Sequence, residues 1–73
     1  MELTQLEKDL LSGLKAFGVE KDEAVATMMF LQKEEEREEL LDYMLNHLKA
    51  TEQDIMGKVV EIVQRQNRTT TEN

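Results

Sequence analysis

The chain has 73 residues, no cysteine and no proline, and 16 acidic against 9 basic side chains for a formal net charge of −7. That length leaves room for one modest core, since a domain this small buries only about 60% of the surface its unfolded chain exposes, and without thiols neither a disulfide nor a thiolate metal site supplements it. The charge excludes the phosphate contacts on which nucleic-acid affinity rests, and no apolar run approaches the roughly 20 residues of a membrane span.

Apolar residues recur at spacings of three and four, and aromatic and β-branched residues are sparse, which predicts an all-α chain. Helix 1 (about 4–17) opens on Thr4 and Glu7, a T-x-x-E capping box, and carries Leu6, Leu10, Leu14 and Phe17 on one face. Gly18 ends it. Glycine accepts the left-handed conformation at that position and lets Val19 pack back on Leu14 in a Schellman motif. Helix 2 (about 21–32) begins at Lys21-Asp22-Glu23, whose carboxylates suit the positive end of a helix dipole. From Ala24 to Leu31 only Thr27 is polar, so almost every face of this helix asks for cover and it is expected to be the central one.

Gln32 to Glu39 contains no apolar residue, and a break is expected near Gln32-Lys33 because it lets helix 3 fold back over helix 2. One continuous helix from Asp22 to Lys49 is the alternative, since neither Gly nor Pro interrupts that stretch. Helix 3 (about 34–49) presents Leu40, Leu41, Met44, Leu45 and Leu48. Helix 4 (about 52–66) follows Thr51, with Asp54 closing a second capping box, and presents Ile55, Met56, Val59, Ile62 and Val63. The expected fold is a compact four-helix domain over 1–66. The polar segment 67–73 has no apolar anchor and is expected to be a disordered tail. Gly13 and Gly57 fall inside helices 1 and 4, where each costs about 1 kcal/mol relative to alanine, and close helix packing is the expected reason for both.

Candidates for chemistry are few. Ser12 lies within helix 1 and outside any nucleophile elbow. The lone histidine, His47, has Tyr43 and Met44 at the positions where a helical metal site would place carboxylates. No calcium-loop pattern occurs. No catalytic, cofactor-binding or metal site is therefore expected, and with Met1-Glu2-Leu3-Thr4-Gln5 lacking a signal-peptide pattern the expected compartment is the cytoplasm.

The acidic run carries like-charge neighbours at i,i+4: Glu34 with Glu38, Glu35 with Glu39, and Glu38 with Asp42. Each pair costs a few tenths of a kcal/mol, about the scale of a helix-surface ion pair. A helix N-terminus tolerates acids, and an acidic patch for a basic partner is the functional alternative. Methionines on apolar positions either fill core volume or form an adaptable binding surface. The candidate partner-binding set is Met28, Met29 and Phe30 on helix 2 with Glu34, Glu35, Glu38 and Glu39 on helix 3.

The segments 16–25, 40–45 and 50–55 resemble a group of small acidic helical proteins of Firmicutes and their mobile elements. That resemblance implies a small helical fold and no particular function. Phe17-Gly18-Val19 before Asp22-Glu23-Ala24-Val25, with 40–47, is also similar to the loop and third helix of ubiquitin-associated three-helix domains, which implies peptide or ubiquitin-fold binding. The leading expectation is a non-catalytic protein-interaction module, an accessory factor of a mobile element that docks on a basic or apolar protein surface. A homodimer burying helices 2 and 4 is the alternative from another class, and a helix-turn-helix regulator is disfavoured by the charge.

Overall fold

Four α-helices, α1 (Gln5–Ala16), α2 (Lys21–Phe30), α3 (Glu34–Asn46) and α4 (Glu52–Thr71), follow one another in the computed structural model. It describes residues 3–71, with side chains described over 3–66, and no strand occurs among them. The all-α, four-helix architecture is the expected one. The break between α2 and α3 falls at 31–33, so the single long helix is excluded.

Local signals place the ends. The Glu7 amide donates to Thr4 Oγ1 at 3.1 Å and the Thr4 amide to Glu7 Oε1 at 2.8 Å, which completes the first capping box. Thr51 and Asp54 repeat it at the start of α4, at 3.0 and 3.2 Å. Gly18 has a φ of +93°, and the amides of Gly18 and Val19 donate to the carbonyls of Lys15 and Leu14, each at 3.0 Å. Those are the two bonds of a Schellman motif. Both Leu14 and Val19 are buried.

Helix α1 packs on α3 and on α2, and α3 packs on α4. The core between them is built from Leu10, Leu14, Val19, Ala24, Met28, Leu31, Leu40, Met44, Ile55, Val59 and Ile62. Helix α2 is not the central helix its composition suggests. Its buried residues, Ala24, Thr27 and Met28, form one stripe continued by Leu31, while Val25, Met29 and Phe30 face water. Four short helices cannot cover every face of one of their number. Thr27, the one polar residue from Ala24 to Leu31, is buried, and its hydroxyl is satisfied by donating to the Glu23 carbonyl at 2.8 Å within its own helix.

Three further expectations are corrected. Helix α3 stops at Asn46 rather than at 49, where the Asp42 and Tyr43 carbonyls accept from Asn46 Nδ2 at 2.9 Å and His47 Nδ1 at 2.8 Å. Leu48 consequently sits in the following turn, exposed. Gly13 does make a close approach, since a Cβ there would stand 3.0 Å from Met44 Cε, but a Cβ on Gly57 would meet nothing within 4 Å. The helical backbone of α4 also continues to Thr71, past the stop expected near Gln66, as no Gly or Pro interrupts it. The side chains of the expected tail, 67–73, lie outside the described ones, as do residues 72 and 73 entirely.

Candidate functional site

Arg37, on the second turn of α3, ties three helix ends together. Its Nε donates to the Leu31 carbonyl at 2.5 Å, Nη2 to the Met28 carbonyl at 3.0 Å and Nη1 to Glu7 Oε2 at 2.8 Å. Carbonyls in a helix's last turn lack intrahelical partners, and the planar guanidinium fork suits two of them and a carboxylate at once. The carboxyl of Glu7 is held below its ordinary range chiefly by the Thr4 amide, which burial opposes and which the Thr4 hydroxyl and Arg37 reinforce. This staple fixes the last turn of α2, and with it the outward course of Met29 and Phe30.

A second tether joins α3 to α4. Glu39 pairs with Lys58 at 3.1 Å and with Arg65, and Lys58 also pairs with Glu61 at 2.8 Å. Burial tends to raise the pKa of Glu39, and hydrogen bonds and charge from Arg65 and Lys58 outweigh it, so the carboxyl is held below the usual range. The Lys58 ammonium is pushed up chiefly by its bond to Glu61; burial opposes this, and the bond and charge of Glu39 add to the rise. It also stands 5.5 Å from the centre of the Tyr43 ring, which stacks on His47 at 4.2 Å. His47 is exposed, as is Ser12 on α1. Among the described residues no three ligating side chains gather where a metal ion could be held.

Helices α2 and α4 are not one of the closely packed helix pairs among the described residues, and an apolar cleft of about 300 Å³ is lined by both. Thr27 and Val59 floor it, and Phe30, Met56, Val60 and Val63 form its walls. Phe30 also borders a second groove of about 600 Å³, lined by Met29 and Ile62 together with Glu35, Glu36, Glu39 and Arg65. Phe30 is 61% exposed, Met29 68% and Val60 52%, and Phe30 borders both grooves. Scattered exposed apolar residues are ordinary, whereas contiguous ones mark sites of interaction.

The sequence-derived candidates separate on this surface. Met29, Phe30, Glu35 and Glu39 are brought together around the larger groove, with Glu39 already engaged by α4. Met28 is buried in the core, and its carbonyl, not its side chain, has the visible polar role. Glu34 and Glu38 are exposed on α3 but do not line either groove. Sequence reasoning left α4 out of the candidate set. The available signal was Val60, an apolar residue outside the core-facing run of α4 and adjacent in sequence to Val59.

No family model, no curated protein and no solved structure matches this chain.

Proposed function

We propose that this chain is a protein-interaction domain that works by binding rather than by catalysis, and that it docks its partner on the exposed face shared by α2 and α4. The observation that carries this reading is the cleft between these helices, whose lining is almost entirely apolar although it lies open to water. Ligand and partner sites have this character, an apolar concavity with polar groups at its margin. The likeness to mobile-element proteins fits an accessory factor that acts by contact with another protein.

The test is affinity capture from the native host with three baits: the wild-type chain, a Phe30→Asn, Val60→Asn double variant, and Leu48→Asn as an exposed apolar control outside the cleft. Loss of a captured protein with the double variant alone, at unchanged melting temperature, supports the proposal. Equal capture by all three baits removes the cleft from the binding surface. Sedimentation equilibrium of the purified chain reads the rival outcome, a tight dimer that Phe30→Asn dissociates, which would assign the same face to a second copy.

A further inference from the structure

The walls of the cleft are matched helical stripes. Glu23, Ala26, Thr27 and Phe30 stand at i, i+3, i+4 and i+7 on α2, and Met56, Val59, Val60 and Val63 repeat that spacing on α4. Each stripe rises about 10 Å at 1.5 Å per residue. Two such stripes side by side form the groove in which a third helix seats its own i, i+3, i+4 and i+7 anchors. The shape therefore calls for a helical occupant about two to three turns long in contact.

Carboxylates stand at both ends of the groove. Glu23 lines one end, and beyond Phe30 the other end opens onto Glu35, Glu36 and Glu39 with the cations Lys33 and Arg65, of which Arg65 pairs with Glu39, so acid exceeds base there too. Neither Glu23 nor Glu35 has an ion-pair partner among the described residues. Between positions 33 and 39 five carboxylates face two cations, Lys33 and Arg37, and Arg37 is occupied by Glu7 and the α2 carbonyls. A second copy of the chain, itself at a net charge of −7, would set these acids against its own. A cationic partner meets opposite charge at both ends.

We infer, resting on the docking reading above, that the occupant is a basic amphipathic helix of another protein, with large aliphatic anchors along one stripe and Lys or Arg flanking that stripe at both ends. Aliphatic anchors fill the cleft between Phe30 and Val60, and the flanking cations reach Glu23 at one end and Glu35 with Glu36 at the other.

Two synthetic helical peptides of about 16 residues, roughly 24 Å long, test this. They share one leucine stripe and differ only in flanks, lysine in one and glutamate in the other. Each is titrated into the full chain while backbone amide NMR shifts are followed. The lysine-flanked peptide is expected to shift the amides of Ala26, Phe30, Met56 and Val60, to bind at least about tenfold tighter than its glutamate twin, and to weaken about tenfold between 0.05 and 0.5 M salt. Val60→Asn should lose the cleft shifts, and Glu23→Gln with Glu35→Gln should reduce the preference between peptides without losing the leucine-dependent binding. Equal affinity of both peptides at the cleft would overturn the cationic partner and leave the docking surface standing. Shifts confined to the acidic run, or none with either peptide, would overturn both. Concentration-dependent cleft shifts in the chain alone would give the groove to a second copy and overturn the inference.

Discussion

Replacing Arg37 by alanine should be the most damaging polar substitution in this domain. The guanidinium makes three charge-assisted bonds, to Leu31, Met28 and Glu7, across gaps of 6, 9 and 30 residues. Such bonds contribute about 1.5–3 kcal/mol each where fully buried. Here the Arg37 and Glu7 side chains are 19% and 20% exposed, and water can reach the carbonyls once the side chain is gone. Discounted to about 1 kcal/mol each, the three give a loss of about 3 kcal/mol. A domain of this size has roughly 4–11 kcal/mol in total, and each kcal/mol moves the midpoint by about 4–8 °C, so the melting temperature should fall by about 12–24 °C at pH 7. Thermal unfolding followed by circular dichroism, paired with urea titration, measures it. Arg37→Lys keeps a charge near Glu7 but cannot span all three acceptors, so it should recover less than half the loss. A double-mutant cycle with Glu7→Gln should return a coupling of about 1 kcal/mol, leaving most of the loss with the α2 carbonyls. A midpoint for Arg37→Ala within about 3 °C of wild type, or full recovery by lysine, would refute the staple.

Gly57→Ala should stabilise by about 0.5–1 kcal/mol in urea unfolding, and Gly13→Ala should gain less because its Cβ would press on Met44 Cε at 3.0 Å. Equal gains would show that the methionine tip swings aside without cost. Glu35→Lys combined with Glu38→Lys should leave stability within about 1 kcal/mol of wild type, whereas Glu39→Lys, which sets a third cation beside Lys58 and Arg65, should lower it by about 1–2 kcal/mol. Thermal melts rank the two, and a double-variant loss matching that of Glu39→Lys would make the whole acidic run structural. The lowered pKa of Glu7 means that its stabilisation is complete above the ordinary value of 4.5 and is lost as pH falls from there through the lowered folded value. The melting difference between wild type and Glu7→Gln should therefore be present at pH 7 and close as the pH drops below about 4.5; a difference that stays constant with pH contradicts the sign.

What was legible in the sequence was what a few adjacent residues decide. Thr4 with Glu7, Thr51 with Asp54, and Gly18 before Val19 each specify a helix end within one turn, and each forms. The break at 31–33 also followed from a local loss of apolar residues. Interactions between distant positions were not legible. Nothing near Arg37 in sequence announces Glu7, which lies 30 residues away. Glu39 looked like one acid in a run until α4 brought Lys58 and Arg65 against it. The buried face of α2 was hidden for a different reason. With apolar residues on every side, its composition could not say which stripe the core would take, and the structure selects the stripe that contains the polar Thr27.

That selection separates the residues that hold the fold from those that face the cleft, although they alternate along the same helices. Met28 turns inward while Met29 and Phe30 turn outward, and Val59 reaches the core while Val60 does not. A side chain more than half exposed contributes little buried area, so Phe30 and Val60 are not what stabilises the domain. Their position is nevertheless set by groups that are. The Arg37 bonds to the carbonyls of Leu31 and Met28 hold the turn that carries Phe30, and Glu39 with Arg65 holds α4 across from it. An occupant seated between Phe30 and Val60 would add contacts to two helices that are not closely packed on each other. By mass action, any ligand that binds only the folded chain raises its stability, by about 2.7 kcal/mol at a hundredfold excess over its dissociation constant. Binding and stability are thus coupled through the cleft without sharing side chains, which is why variants at Phe30 and Val60 can report on docking while the fold stays intact.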